Sequence, residues 1–226
     1  ISSTITMIIQ INNLSKTYSP EKKQPISVLK DISMSVQKGE SVAVTGSSGS
    51  GKTTFLTLVA GLDSPTDGEI KIIDQPIHSM SENELTLFRS RHIGFIFQKF
   101  HLLPHFSALE NVALPLEILR RDNAEEKARE VLDQVGLGGR LEHLPEELSG
   151  GECQRIAIAR AIVSEPDLIL ADEPTGNLDQ ETAENVSKLM FKLVKEKSLT
   201  MLLVTHNIEL AEQCNRRLNL VKGSFQ

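Results

Sequence analysis

Short apolar or alternating runs recur through the first third of the chain, at residues 8–11, 32–36 and 69–73. Lys38-Gly39 and Asp67-Gly68 supply turn signals beside them, so these runs predict short strands forming an antiparallel flank. Val42-Ala43-Val44 and then Phe55, Leu56, Leu58 and Val59 bracket a stretch of small polar residues, which reads as strand, loop, helix. Ser81-Glu82-Asn83-Glu84 is a capping-box pattern opening a short helix, and the continuous apolar run at 93–97 predicts a strand buried on both faces. From 99 to about 164 the periodicity turns helical, clearest at 124–135 and 153–163, with Pro104, Pro115 and Pro145 read as breaks. Val186, Leu189, Met190, Leu193 and Val194 make one apolar helical face joining the apolar runs 168–171 and 201–205. That is a crossover unit of an α/β fold with a mainly parallel core sheet, and the stripe is core rather than a cofactor box.

The polar stretch after Val44 reads Gly46-Ser47-Ser48-Gly49-Ser50-Gly51-Lys52-Thr53-Thr54. It fits the phosphate-loop pattern of glycine, four residues, then Gly-Lys-Thr, and it stands in the required strand-to-helix context. The glycines let backbone N–H groups turn toward an anion, and the following helix adds its positive end. Lys52 then reaches the β- and γ-phosphates of a nucleotide, and the Thr53 hydroxyl reaches Mg²⁺. The run 168–171 ends in Asp172-Glu173. Successive side chains diverge at a strand end, so Asp172 can face Mg²⁺ while Glu173 points beyond the γ-phosphate as candidate general base. Ser149-Gly150-Gly151-Glu152 precedes an apolar helical stretch, giving an N-cap serine and N–H groups aimed at a second anion.

Taken in chain order, GSSGSGKT, LSGGE followed by Gln154-Arg155, LILADEPT and VTH resemble the ATP-binding cassette (ABC) ATPases over almost the whole chain. The stretch at 101–118, together with ADEPTGNLD at 171–179, resembles the LolD/MacB branch, and GLGGRLEHLPEELSGGE and RRLNLVKGSFQ look most like YbbA-type subunits. The resemblance implies a phosphate-loop NTPase fold in a single ABC domain over 1–226. Its core would be 1–98 and 165–226 with an antiparallel flank, and 99–164 would be a helical subdomain. It implies ATP and Mg²⁺ as ligands, with Gln98 at the metal and the attacking water, His206 at the γ-phosphate, and Tyr18 stacked on adenine. Ser149, Gly150, Gly151 and Glu152 would close the site of a second copy, and Asp179 would couple the two sites. It further implies an integral-membrane permease docking near 98–106, and a location on the cytoplasmic face of the inner membrane. Two positions depart from the branch pattern: Cys153 stands where Gln or Arg is common, and Asn207 where Asp is usual.

Composition narrows the alternatives. The 226 residues carry a net charge of −6, which argues against nucleic acid as the main ligand because phosphate-backbone binding wants a basic face. The two cysteines, Cys153 and Cys214, have neither framework nor metal spacing, so reduced thiols are expected. No run reaches the ~18 apolar residues that span a bilayer, so a membrane role would work through a partner. The first residues lack the basic region and apolar core of a signal peptide, and Met7 is a candidate natural start with 1–6 foreign to it. A soluble ABC ATPase of DNA repair or translation is the rival class. Such proteins show a second cassette, a long coiled coil or a basic face, none of which is present here. A kinase of the phosphate-loop class would leave LSGGE without a purpose.

Overall fold

A computed structural model describes residues 6–19 and 24–226. The chain runs β1 (Met7–Tyr18), β2 (Ile26–Gln37), β3 (Ser41–Thr45), α1 (Lys52–Val59), β4 (Asp67–Ile72), β5 (Gln75–Pro76), α2 (Glu82–His92), β6 (Ile93–Phe97), α3 (Ala108–Ile118), α4 (Ala124–Gln134), α5 (Gly150–Ile162), β7 (Leu168–Asp172), α6 (Gln180–Glu196), β8 (Thr200–Val204), α7 (Ile208–Ala211), β9 (Arg216–Val221) and β10 (Ser224–Phe225). It divides into two compact units, one made of residues up to 89 and from 199 onward, the other of 90–198. The reading of residues 1–5 as foreign lies outside the described residues.

In the first unit β2, β1, β4 and β5 form the expected antiparallel sheet, with Ile11 opposite Met34 on one side and Ile70 on the other. Ile9, Ile11, Leu14, Ile70 and Ile72 are fully buried, which is why one-face alternation was visible in the sequence. Gly68 is required: a side chain there would run into the Asn12 carbonyl at 2.6 Å, and its φ is +85°. β3 lies between β8 and β9 and is parallel to both, pairing Val44 with Val204 and with Leu218. Every residue of β3 and β8 is buried, as expected of parallel strands covered on both faces. α1 packs on this layer through Phe55, Leu56, Leu58 and Val59. β9 and β10 had no predicted counterpart, because Arg216, Arg217 and Asn219 leave them without an apolar run.

In the second unit β6 and β7 pair in parallel, Phe97 opposite Asp172, and α5 packs against β6. Gly94 makes that approach close, since a side chain there would meet the Ala161 backbone. α5 also meets α3, α4 and α6. α3 does not break at Pro115 as the sequence suggested; the proline lies inside the helix. Burial of Ala108, Leu109, Val112, Ala113 and Leu116 outweighs the loss of one backbone donor. Buried Asn111, without exposed surface, ties down the preceding segment: its Nδ2 donates to the carbonyls of Leu103, Phe106 and Ser107 and its Oδ1 accepts from Leu103 N–H at 2.8 Å.

Candidate functional site

In the first unit the phosphate loop leaves β3 at Thr45 and enters α1 at Lys52. Gly49 and Gly51 have φ of +76° and +105°, a region costly for other residues. Gly51 is the N-cap of α1 and contributes no side-chain acceptor, so no side chain caps that helix end. Lys52 Nζ folds back across the loop and donates to the carbonyls of Gly46 at 2.9 Å and Ser47 at 3.1 Å. Ser47, Ser48, Gly49 and Thr53 are exposed. The Ser50 hydroxyl is buried without a partner among the described residues. The outcome is an open cradle of backbone donors with one cation held across it, the chemistry that suits a polyphosphate. A residue larger than glycine at 46 would fill it, since its Cβ would be 2.7 Å from Ser50 Oγ. His206 follows β8 and is exposed. β8 pairs in parallel with β3, so the loop and His206 leave neighbouring strands at the same end, where ligands of open α/β sheets bind. Asn207 caps α7, accepting from Leu210 N–H at 3.0 Å. An asparagine serves there as well as an aspartate. Tyr18, the last residue of β1, is 41% exposed.

In the second unit Gln98 and Asp172-Glu173 stand at the C-terminal ends of the paired strands β6 and β7. Glu173 has φ +44°, which is uncommon for a residue with a side chain and turns the backbone sharply after Asp172. Gln98 is held by a reciprocal amide pair: its Nε2 donates to Asn177 Oδ1 at 3.1 Å, and Asn177 Nδ2 donates to the Gln98 carbonyl at 3.0 Å. Gly176 leaves room for this, because a Cβ there would be 2.7 Å from Gln98 Nε2.

Ser149 caps α5 as expected. Its hydroxyl accepts from Glu152 N–H at 3.3 Å, and Glu152 Oε2 accepts from Ser149 N–H at 2.9 Å. The Ser149 N–H, together with the Ser149 hydroxyl donating to the same Oε2 at 2.7 Å and helped by Arg140, holds the Glu152 carboxyl down to about 2 despite partial burial. The Glu152 carboxylate is committed to the cap and to Arg140 Nε at 3.1 Å. Ser149 and Gly150 are exposed while Gly151 is buried against Thr182 of α6. Asp179 caps α6 through Thr182 N–H at 3.0 Å, and the Thr182 hydroxyl together with that N–H lowers its carboxyl from the ordinary value. Cys153 is buried, its Sγ 3.5 Å from the Pro145 carbonyl, so its departure from the branch pattern is a packing feature of the helix. Sequence reasoning passed over Arg160, whose guanidinium donates to the carbonyls of Phe100 at 2.8 Å and His101 at 2.7 Å, just after Gln98. An arginine inside the apolar run of α5 was the available signal. Among the described residues no helix is long and apolar enough to cross a membrane, and no three His, Cys, Asp or Glu side chains form a metal-binding group.

Residues 29–176 match the ABC transporter family, and the chain belongs to it. It is an ABC ATPase of the class of ATP-binding proteins. It is 44% identical over 221 residues to the ABC transporter ATP-binding protein YbbA of Escherichia coli K12, covering 97% of this chain and 96% of the relative. It is 47% identical over 222 residues to the lipoprotein-releasing system ATP-binding protein LolD of Coxiella burnetii, covering 97% and 95%. Among solved structures it is similar to the ATP-binding cassette MJ0796 in a dimeric post-hydrolysis state bound to ADP and phosphate, with TM-score 0.87, 39% identity and 96% of each chain covered. A second dimeric structure of MJ0796 matches with TM-score 0.88 and 40% identity.

Proposed function

We propose that this chain is the energy-coupling subunit of a membrane ABC system of the lipoprotein-release, MacB or YbbA kind. Two copies close around two molecules of Mg·ATP, and hydrolysis drives a separate permease docked near residues 98–106, on the cytoplasmic face of the inner membrane. Within the chain, 1–98 and 165–226 form the nucleotide core and 99–164 the helical subdomain. The observation that carries this reading is the phosphate loop, where Lys52 bridges two loop carbonyls over an uncapped helix end. The dimeric state described for MJ0796 supports the pairing of two copies.

Lys52 and the backbone of residues 46–53 hold the β- and γ-phosphates, with Thr54 continuing the cradle. Thr53, Asp172 and Gln98 are the residues that would hold Mg²⁺, a donor set suited to an ion that keeps few protein ligands and binds mainly phosphate and water. When bound, that ion supplies charge neutralisation at the phosphate oxygens. Glu173 takes the proton of a water whose oxygen attacks the γ-phosphorus, while the bond to the bridging oxygen breaks and ADP leaves with its electron pair. A positioned base of this kind contributes ~10²–10⁴-fold in rate. His206 donates to the γ-phosphate. Ser149, Gly150 and Gly151 of the second copy, aligned by the Glu152 cap, bring a second helix N-terminus to the same anion. Asp179 links the two sites.

The test uses Glu173→Gln and Lys52→Ala. Glu173→Gln in Mg·ATP should run as a dimer by light scattering, bind ATP without turnover, and co-purify with a permease from gently solubilised membranes. Lys52→Ala should lose ATP binding. Turnover retained by Glu173→Gln, or a monomer at micromolar concentration, would overturn the proposal.

A further inference from the structure

Tyr18 and Lys16 are two residues apart near the end of β1 and share its face. Lys16 Nζ lies 4.7 Å from the centroid of the Tyr18 ring. The same ammonium donates to Asp63 Oδ1 at 2.8 Å and to the Ser64 carbonyl at 2.6 Å. Asp63 Oδ2 accepts from the Tyr18 hydroxyl at 2.9 Å, and Asp63 Oδ1 also accepts from Ser64 N–H at 2.7 Å. Lys16 is only 9% exposed, so its charge is confined between the carboxylate, the carbonyl and the ring. The Thr54 side chain, in the first turn of α1, lies near the phenol.

The groups act on one another. Partial burial and then the bond to Asp63 push the phenol above its ordinary value. Burial pushes the Asp63 carboxyl up, but the bonds from Lys16, Tyr18 and Ser64 outweigh it and hold the carboxyl low. One ring face therefore rests on a cation and the hydroxyl is tied to a carboxylate, while Tyr18 keeps 41% of its surface exposed near the first turn of the helix that follows the phosphate loop. An ammonium over one face draws π density toward itself, which favours an electron-rich purine on the other. A ring already fixed also costs less to order when the base arrives.

We propose that Lys16 and Asp63 are positioning residues that hold the Tyr18 ring as a fixed platform for a purine base, and that this platform does not tell adenine from guanine because its one polar atom is already committed to Asp63. The proposal rests on reading Tyr18 as the base-stacking residue. The bland alternative is that the trio only ties the end of β1 to the segment after α1.

The chain has one tyrosine and no tryptophan, so tyrosine emission and phenol absorbance report on Tyr18 alone. Binding of Mg·ATP, Mg·GTP and Mg·tripolyphosphate, which lacks a base, is measured for wild type, Tyr18→Ala, Asp63→Asn, Lys16→Met and the conservative Lys16→Arg. Tyr18→Ala should weaken both nucleotides about tenfold and leave tripolyphosphate unchanged. Asp63→Asn and Lys16→Met should weaken both nucleotides roughly three- to tenfold, again sparing tripolyphosphate, with Lys16→Arg restoring most of the loss. Asp63→Asn should also brighten tyrosine emission and let the phenol titrate at lower pH. If Tyr18→Ala binds ATP like wild type, the stacking reading itself fails. If Tyr18→Ala is weakened while Asp63→Asn and Lys16→Met are not, stacking stands and the positioning proposal falls. Equal losses toward tripolyphosphate would make the trio merely structural, and a wild-type preference for ATP over GTP beyond about tenfold would remove the claim of base indifference. Should Asp63→Asn not fold, Lys16→Met and the wild-type phenol titration decide the matter.

Discussion

Gly94→Ala tests whether the contact between β6 and α5 sets the position of the Ser149-Gly150-Gly151 turn at the start of α5. An added Cβ would lie 3.0 Å from the Ala161 carbonyl carbon and 2.8 Å from Ile169 Cδ1, with the Ala161 oxygen nearer than either. The isoleucine methyl can rotate away; the helix backbone at Ala161 cannot. Carbon atoms in contact stand ~3.5–4.0 Å apart, so α5 must retreat by about 0.5–1 Å. Overpacking of this kind costs about 1–3 kcal/mol. For a chain of this length 2 kcal/mol corresponds to about 4–8 °C in Tm. The N-terminus of α5 carries Ser149 and Gly151, and a misplacement of about 1 Å can cost ~10²-fold in turnover. Thermal unfolding should therefore fall by several degrees and steady-state ATPase activity by tenfold or more. ATP affinity, which the proposed function assigns to the loop after β3, should stay within about twofold. Gly139, around which an added Cβ meets nothing within 4 Å, provides the control, and Gly139→Ala should change stability by less than about 0.5 kcal/mol. A Gly94→Ala chain with wild-type Tm and turnover would refute the reasoning.

Three further outcomes are expected. Ser149→Ala removes the cap of α5 and should cost about 1 kcal/mol near neutral pH by urea unfolding. Because the folded Glu152 carboxyl is lowered from 4.5 to about 2, its stabilisation is complete above pH 4.5 and fades as pH falls toward 2, so the gap between wild type and variant should narrow in acid; a gap that widens there contradicts the assignment. Asn111→Ala removes the buried amide that holds the Leu103 N–H and the carbonyls of Leu103, Phe106 and Ser107, and should cost about 1–3 kcal/mol, with faster proteolytic cleavage at 103–107 as the readout. Burial, with the Glu152 charge, raises the Cys153 thiol, and burial pushes Cys214 up to about 12, so a disulfide reagent at pH 8 should label neither thiol in the native chain and both after unfolding.

What was legible in the sequence follows from locality. The phosphate loop, the Ser149 cap and the buried strands β3, β6, β7 and β8 announce themselves because each is decided by residues next to one another: glycines where φ is positive, a serine three residues before a glutamate, an uninterrupted apolar run. Pro115 shows the limit of that reasoning, since the local rule for proline gave way to the burial of α3. β9 was illegible for the converse reason: its residues carry little apolar signal, and it is a strand because β3 offers it a partner.

By itself, then, the sequence determined the class of fold and the family, and offered the candidate phosphate-handling groups of the proposed function, because these rest on short motifs whose chemistry needs no distant partner. Only the tertiary structure decided how those groups are held. The reciprocal bond between Gln98 and Asn177, the clamp of Arg160 on the Phe100 and His101 carbonyls, and the Lys16, Asp63 and Tyr18 assembly each join residues between 45 and 79 positions apart or at the far end of another element. A hydrogen bond or a cation over a ring depends on ångström-scale placement, and that placement comes into being only when the strands and helices pack.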